Sequence, residues 1–228
     1  MPDWDKITAG KIEIARRALA GAAQGAVRRS ARPASERIPA GQKQVRDFPV
    51  LDLGVRPAVD HHNWSLMLYG LVRNPVNLDW RALQALPQVR NVADMHCVTR
   101  WTQLDMDWEG VLAADLVALA EPLPEAHFVT LHGYDDYTTN LPLLALLDAD
   151  VLVAHSVFGA PLADEHGGPV RLVVPKRYAW KSAKWLKAIE FHVHDRPGFW
   201  EVRGYHNDAD PWKEERFGHP PEDDAEYL

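Results

Sequence analysis

The sequence is poor in cysteine, in long apolar runs and in positive charge. One of its 228 residues is a cysteine, Cys97, so an intramolecular disulfide is excluded and nothing calls for an oxidising compartment. No apolar stretch approaches the roughly 20 residues that a membrane span requires. The formal charge of −7 opposes binding to nucleic acid over a broad surface, because such a surface has to be basic. We therefore expect a cytoplasmic protein with neither a membrane span nor a nucleic-acid partner.

The composition that is present predicts a globular body preceded by a different kind of segment. Apolar residues make up 46% and charged residues 25%, which is typical of chains that bury a core. Residues 1–47 predict an alanine- and arginine-rich helix at 12–27, followed by a polar extended arm that contains Pro33, Pro39 and Gly41. Residues 48–228 predict one domain, with the polar tail from residue 201 packed over it.

From residue 48 onward, short apolar runs alternate with short helical patterns. The predicted strands cover 64–72, 89–97, 128–132, 137–141, 151–155, 170–174 and 189–194. The predicted helices cover 79–86, 115–120, 143–147 and 182–188. Their spacing is too irregular for a doubly wound sheet. The pattern therefore predicts an α+β fold, with mixed β-sheets and short helices between the strands.

Cys97 ends a predicted strand and lies beside His96 and close to Arg100. Nearby cations lower the pKa of a thiol and favour the thiolate, which is both a nucleophile and a soft metal ligand. Adjacent residues on a strand point to opposite faces, however, so His96 need not reach the sulfur. The local pattern leaves open an inert buried cysteine and a functional one.

Two later segments have the composition of an anion site. Gly167 and Gly168 allow close backbone approach, and Arg171, at the start of an apolar strand, offers a guanidinium fork. The segment 176–184 then carries four cations in nine residues of an acidic protein. This run is either a solvated face or, with Arg171 and Lys184 acting together, a cradle for one phosphate group.

Four pieces occur in a fixed order: Cys97 at a strand end, YTTNLP at 137–142, HGGPVRLVVP at 166–175 and KSAKWL at 181–186. Together they resemble the molybdopterin-binding catalytic domain of the sulfite oxidase family over about residues 48–217. The resemblance is greatest to its short bacterial stand-alone members, which are relatives of the methionine-sulfoxide reductase catalytic subunit. It implies that family's fold and a molybdenum–molybdopterin cofactor. This sequence departs from larger members of the family, and we expect neither a haem domain nor an added dimerisation domain in it.

The resemblance also implies a set of cofactor contacts. Cys97 would be the only protein side chain that binds molybdenum. His166 and Arg171 match positions that contact the pterin and its phosphate, and the phosphate loop matches Ser182, Ala183 and Lys184. Asp52 and His62 are further expected pterin contacts, although the family's phenylalanine–arginine–histidine pattern is not evident at 48–56.

The catalytic residues implied by the resemblance are Cys97, Tyr137 and Arg100. Tyr137 matches a tyrosine placed near the metal's oxo face, where a phenol can donate to a developing oxyanion. Arg100 is what remains of the arginine cluster that follows the cysteine in animal and plant sulfite oxidases. This reduction argues against sulfite as the substrate.

The predicted function is two-electron oxygen-atom transfer on a small substrate, such as a sulfur or nitrogen oxide. The electrons would be exchanged with a separate protein. Two other classes remain open at this point. One is a metal-free enzyme with Cys97 as nucleophile and a histidine as its base. The other is a binding module in which segment 176–184 holds an anionic partner without catalysis.

Overall fold

The structure is a computed structural model that describes residues 3–20, 27–29 and 33–218. Within these ranges the helices are α1 Trp4–Ala20, α2 Trp80–Ala85, α3 Ala113–Ala120 and α4 Leu143–Leu146. The strands are β1 Val27–Arg29, β2 Lys43–Val45, β3 Ser65–Gly70, β4 Val76–Asp79, β5 Val89–His96, β6 Trp101–Leu112, β7 Phe128–Gly133, β8 Thr138–Pro142, β9 Leu152–Val157, β10 Ala160–Pro161, β11 Arg171–Val173 and β12 Leu186–His192.

The strands form two mixed sheets. The larger sheet has the order β1-β5-β6-β9-β10, with β11 also paired to β9 and β2 also paired to β6. The smaller sheet has the order β4-β3-β12-β7-β8. Three pairings are parallel, namely β1 with β5, β2 with β6 and β3 with β12, and the other pairings are antiparallel. The predicted α+β fold with mixed sheets and short helices is confirmed.

Several elements lie where their local sequence predicts them. Helix α2 begins after Asp79, whose carboxylate accepts a hydrogen bond from the Ala82 amide at 2.7 Å. Strands β7 and β8 pair across a turn that starts at Gly133, as predicted. Strand β5 ends at His96, so that Cys97 is the first residue of the turn that leads into β6.

One core cluster connects the two sheets. Leu68 of β3 and Ile189 of β12, in the smaller sheet, belong to the same buried cluster as Val111 of β6 and Val153 of β9, in the larger one. The apolar face of α3 also belongs to this cluster. Burying this surface is the main favourable term in holding the sheets together, and it gives the loops at the sheet ends a rigid base.

Two helix predictions were wrong in their bounds. The helix expected at 12–27 is α1, and Val27 instead begins a strand, while residues 21–26 lie outside the described ranges. The helical turn expected at 182–188 is displaced to Ala179–Lys181, because Leu186 already belongs to β12. Strands β3 and β7 offer hydrogen-bonding partners on both sides of β12, and this pairing overrides the local helical preference.

The described part of residues 3–47 lies against the body of the protein. Lys11 of α1 donates to the Leu144 carbonyl at 3.2 Å, and β2 adds a strand beside β6. The proposed boundary at residue 47 stays a prediction. None of the helices in the described ranges has both the length and the apolar character needed to cross a membrane.

Arg37 anchors this N-terminal segment by a largely buried ion pair. Its guanidinium donates to Asp94 at 2.7 Å and to Asp105 at 3.1 Å. The side chains of Arg37 and Asp94 are 9% and 11% exposed, and burial raises the pKa of Asp94. The two charges therefore depend on each other inside the protein.

We expect Arg37→Met to lower the free energy of unfolding by about 3 kcal/mol, because it leaves the buried Asp94 carboxylate without its cation. Urea denaturation measures this change. Lys176→Met is the matched control, since Lys176 is 55% exposed and pairs with Asp148 at the surface. It should cost about 1 kcal/mol or less. Equal losses for the two variants would contradict the proposed role of Arg37.

Candidate active site

One cavity of about 320 Å³ brings together six of the predicted site residues. Those that line it are Asp52, Cys97, Tyr137, Arg171, Ser182 and Lys184. The wall also contains four tryptophans that are far apart in the sequence, Trp101, Trp180, Trp185 and Trp200. The cavity is therefore largely apolar, with a few convergent polar groups, which is the usual composition of a ligand site.

The other four predicted residues do not line this cavity. Arg100 is exposed and has a left-handed backbone (φ 71°), and His62 is exposed in a turn after Asp60. Ala183 is buried behind the wall between Ser182 and Lys184. His166 lies behind Phe48, which is itself part of the wall.

Cys97 is held in a tight turn between β5 and β6. Its amide donates to the Trp101 carbonyl at 2.9 Å, and its own carbonyl accepts from the Arg100 amide at 3.0 Å. The sulfur accepts a hydrogen bond from the Thr99 hydroxyl at 3.1 Å. Burial raises the pKa of the thiol, and the hydrogen bond from Thr99 partly opposes this rise. The turn therefore presents a single sulfur to the cavity, with one donor already directed at it.

The cationic neighbour of Cys97 is neither His96 nor Arg100. The His96 ring is hydrogen-bonded to Thr102 at 2.9 Å, and burial lowers the pKa of His96 to about 4, so the ring is neutral at physiological pH. The neighbouring charge is that of Arg216, whose Nη1 donates to the Val98 carbonyl at 2.8 Å. Arg216 is 118 residues away from Val98 in the sequence, so no local pattern identified it.

Arg171 places a buried positive charge in the wall. The residue is 3% exposed, and its guanidinium donates to the carbonyls of His166 at 2.9 Å and Ser182 at 3.0 Å. Burial lowers the pKa of Arg171 to about 10, which still leaves it charged at neutral pH. Within the described residues no carboxylate lies within 4.0 Å of it. A buried cation without a counter-ion is costly, so the cavity favours an anionic ligand.

Lys184 adds a second positive charge. Its Nζ donates to the Glu165 carbonyl at 2.5 Å, and burial together with the charge of Arg171 lowers the pKa of Lys184 to about 8. Gly167 allows this approach, because a Cβ there would lie 2.7 Å from the Cβ of Lys184. Gly167 also has a φ of +96°, which favours glycine.

The chain between Ser182 and Lys184 supplies neutral donors beside these two charges. The Ser182 hydroxyl accepts from the Val174 amide at 3.0 Å and keeps its own hydrogen for another acceptor. Among the described residues, the amides of Ala183 and Lys184 have no hydrogen-bond acceptor. The cations of Arg171 and Lys184, together with the hydroxyl and the two free amides at 182–184, form a suitable site for a tetrahedral anion.

The segment at 48–53, where the sequence shows no recognisable family pattern, also belongs to the wall. Phe48, Pro49, Leu51, Asp52 and Leu53 all line the cavity. The Phe48 ring stacks on that of His166 with 3.9 Å between ring centres. The Gly54 amide lowers the pKa of Asp52, and the charge of Lys184 acts in the same direction. Asp52 is therefore ionised and partly balances Lys184.

Tyr137 is in the cavity wall, but its hydroxyl is already used. It donates to the Trp180 carbonyl at 2.6 Å, and burial raises the pKa of Tyr137 well above its usual value. The Trp180 indole in turn donates to Glu201 at 3.0 Å, and Glu201 is paired with the fully buried Lys181 at 2.7 Å. The hydroxyl of Tyr137 thus fixes Trp180 in the wall, and its proton is directed at the backbone.

Comparison with known proteins places this cavity in context. Residues 53–200 match the family model described as the oxidoreductase molybdopterin binding domain. The chain is 45% identical over 184 residues to an uncharacterized oxidoreductase of Bacillus subtilis (strain 168), covering 80% of this chain and 93% of that protein. It is 31% identical over 155 residues to the protein-methionine-sulfoxide reductase catalytic subunit of Gluconobacter oxydans (strain 621H), covering 60% of this chain and 49% of that protein.

Other matches are longer proteins. A nitrate reductase (NADPH) of Aspergillus niger is 28% identical over 75% of this chain, which corresponds to 24% of that protein. The solved structure of the sulfane dehydrogenase SoxCD from Paracoccus pantotrophus matches with a TM-score of 0.57 and 24% identity, over 64% of this chain and 41% of that one. This structural likeness concerns the fold alone. The chain spans about half or less of these relatives, but nearly all of the Bacillus protein.

We expect sulfate to bind in this cavity more weakly as the pH rises from 7 to 9. Sulfate keeps its charge over this range, whereas Lys184, with a pKa of about 8, loses its proton. Titration of the tryptophan fluorescence measures the affinity, since four tryptophans line the cavity. Lys184→Met should lower the affinity at pH 7 by about tenfold and remove most of the pH dependence.

Lys184→Arg is the control, because its charge persists to pH 9 and its affinity should stay nearly constant. A pH dependence in Lys184→Met as steep as that of the unmodified protein would rule out Lys184 as the titrating group.

Proposed function

The chain belongs to the oxidoreductase molybdopterin binding domain family, as the match over residues 53–200 and the 45% identical relative show, and on this basis we propose that it is a molybdenum enzyme in which Cys97 ligates the metal. Its membership of the sulfite oxidase-type family makes it an oxidoreductase. The proposal extends to the residues that hold the cofactor, to the class of substrate and to the source of electrons.

The observation that carries the proposal is the meeting of one thiol and an anion site in a single cavity. Arg171 is a buried cation without a carboxylate partner in the described residues, and Lys184 lies in the same wall. A terminal phosphate would neutralise both charges and would accept from the Ser182 hydroxyl. The sulfur of Cys97 lines the same cavity, as expected if one ligand contacts both the anion site and the metal.

The residues present therefore fit molybdopterin. We propose that Ser182, Ala183 and Lys184 hold its phosphate, the last two through their free amides, and that Arg171 supplies the second charge. Asp52 and the Phe48–His166 stack would border the pterin. When bound, the cofactor supplies a metal that changes its oxidation state by two electrons and accepts or releases an oxygen atom.

The chain's own groups orient and shield this chemistry. Cys97 has to lose its proton when it binds metal, since the thiolate is the ligand. The Thr99 hydroxyl, 3.1 Å from the sulfur, favours that charged form. Tyr137 and Glu201 fix Trp180, and the surrounding aromatic wall excludes water from the sulfur's surroundings.

We propose an uncharged sulfur or nitrogen oxide as the substrate. Apart from Thr99, the residues that follow Cys97 into the cavity wall are the apolar Val98 and Trp101, the aromatic residues Trp200 and Tyr205 line the same cavity, and Arg100 does not. An apolar aromatic wall desolvates anions at a cost and accepts neutral molecules. In the reducing direction the oxide loses its oxygen atom, which takes up two electrons from the donor protein and two protons and leaves as water.

The electrons come from a separate protein in this proposal. The Gluconobacter relative is described as a catalytic subunit, which implies a further subunit in that protein. The same arrangement would serve here, with a donor docking near the cavity.

The alternative of a metal-free cysteine nucleophile is not favoured, because the His96 ring is bonded to Thr102 and the Cys97 sulfur has Thr99 as its side-chain partner.

We expect protein from a molybdate-fed culture to contain about one molybdenum per chain, and Cys97→Ser to lose it, because a hydroxyl is a poorer ligand than a thiolate. Elemental analysis of purified protein measures the content. Thr102→Val, which alters the partner of His96 and leaves the sulfur's surroundings intact, is the control. A molybdenum-free protein under these conditions would refute the proposed function.

We also expect a reduced viologen dye to support turnover of an uncharged sulfoxide or N-oxide, with sulfite and nitrate much poorer substrates, because among the described residues no cationic side chain next to Cys97 in the sequence lines the cavity. The ratio of kcat/KM for the sulfoxide or N-oxide to kcat/KM for sulfite or nitrate measures this preference. Val98→Arg should shift the ratio toward the anions by about tenfold. A preference of the unmodified enzyme for sulfite would show that the assignment of a neutral substrate is wrong.

A further inference from the structure

Two chain segments outside residues 53–200 meet at the turn that carries Cys97. Gln42 donates through its Nε2 to the Cys97 carbonyl at 3.0 Å, and Arg216 donates through its Nη1 to the Val98 carbonyl at 2.8 Å. The two segments also touch each other. A Cβ added to Gly41 would lie 2.8 Å from the Glu214 carboxylate and 3.5 Å from Nη2 of Arg216.

Arg216 is fixed in this position from several sides. It is 7% exposed, and its guanidinium lies over the Tyr178 ring with 4.9 Å between Cζ and the ring centre. Tyr178 forms a bridge with His96, the residue before the cysteine. The Arg216 carbonyl accepts from the His206 amide at 3.2 Å. The arginine thus connects the C-terminal segment to both sides of the cysteine turn.

The hydrogen bonds within the turn do not account for all of its carbonyls. The backbone bonds from Cys97 to Trp101 and from Arg100 to Cys97 close the turn, but the Val98 carbonyl has Arg216 as its partner. A hydrogen bond from a charged donor is about twice as strong as a neutral one. Besides the Lys43 amide, which donates to the Arg100 carbonyl at 2.9 Å, the turn is therefore held from outside by one charged side chain and one side-chain amide.

We propose that Gln42 and Arg216 form a clamp that fixes the turn 97–100 and thereby orients the sulfur of Cys97 toward the cavity. Both are positioning residues, since neither lines the cavity. The proposal rests on the proposed function in so far as the sulfur is the metal ligand. The clamp itself can be tested in metal-free protein.

The test uses the fact that Cys97 is the only cysteine among the 228 residues. Metal-free full-length protein is treated with iodoacetamide at fixed pH under native conditions, and mass spectrometry follows the alkylation of this one thiol. The variants are Gln42→Leu, Arg216→Met, the double variant and Arg216→Lys. The matched control is Arg177→Met, because Arg177 pairs with Asp208 at 2.8 Å and does not touch the turn.

The unmodified protein should react slowly, since Cys97 is 6% exposed. Arg216→Met should raise the rate by about tenfold and Gln42→Leu by about threefold, because each removes a contact that opposes opening of the turn. Arg216→Lys keeps a charged donor and should restore most of the slow reaction. The increase in alkylation rate in the double variant should be smaller than the product of the two single increases, because the two contacts act on one turn.

The clamp would be overturned if Arg216→Met and Gln42→Leu both reacted at rates within about twofold of the unmodified protein. It would also be overturned if Arg177→Met raised the alkylation rate as much as Arg216→Met does. Thermal unfolding checks that each variant is folded, and if Arg216→Met is not, Gln42→Leu and Arg216→Lys decide the outcome. Failure here is distinct from failure of the proposed function. If the proposed function is wrong, the unmodified protein lacks molybdenum. If only the clamp is wrong, the unmodified protein still holds molybdenum.

Discussion

The burial of the Arg171 guanidinium among backbone carbonyls is the constraint on which the site depends. Its two terminal nitrogens join the carbonyls of His166 and Ser182, which belong to two separate loops. The planar group can satisfy both at once, and a lysine has no such fork. Because the charge has no carboxylate beside it in the described residues, the same contact that fixes the loops also makes the cavity attractive to an anion.

The position of Lys184 follows from this arrangement. The loop that ends at His166 turns through Gly167, which lies against the backbone of Lys184. Arg171 and the surrounding protein together make the lysine easier to deprotonate. Structure and electrostatics are thus coupled, since the close packing that places the ammonium in the wall also weakens its hold on the proton.

Much of the fold and part of the site could be predicted from the sequence, because those features are local. The end of β5 at the cysteine and the hairpin of β7 and β8 follow from short runs of residues. The local charge pattern also predicts that Arg171 and Lys184 act together, whereas Ser182 was expected only from the family resemblance. The cationic neighbour of Cys97 could not be predicted in this way. The nearby His96 and Arg100 were candidates because of their place in the sequence, yet Arg216 takes that position through a contact across 118 residues.

The stack of Phe48 on His166 was likewise hidden, since each residue alone has an ordinary local setting. His62, an expected pterin contact for which no family pattern was evident, lies in an exposed turn outside the cavity wall. Contacts between distant segments have no signature in a single sequence. They decide which of several plausible side chains reaches the site.

The distance in sequence between the cysteine turn and its two outer side-chain contacts also determines when that turn can become complete during synthesis. Gln42 precedes Cys97 by 55 residues and is already available when the turn leaves the ribosome, whereas Arg216 follows Val98 by 118 residues. At a synthesis rate of roughly 5–20 residues per second, the 118 residues between Val98 and Arg216 take roughly 6 to 24 seconds to synthesise. The nascent chain therefore carries its one thiol in an incompletely held turn until almost all of the body has emerged.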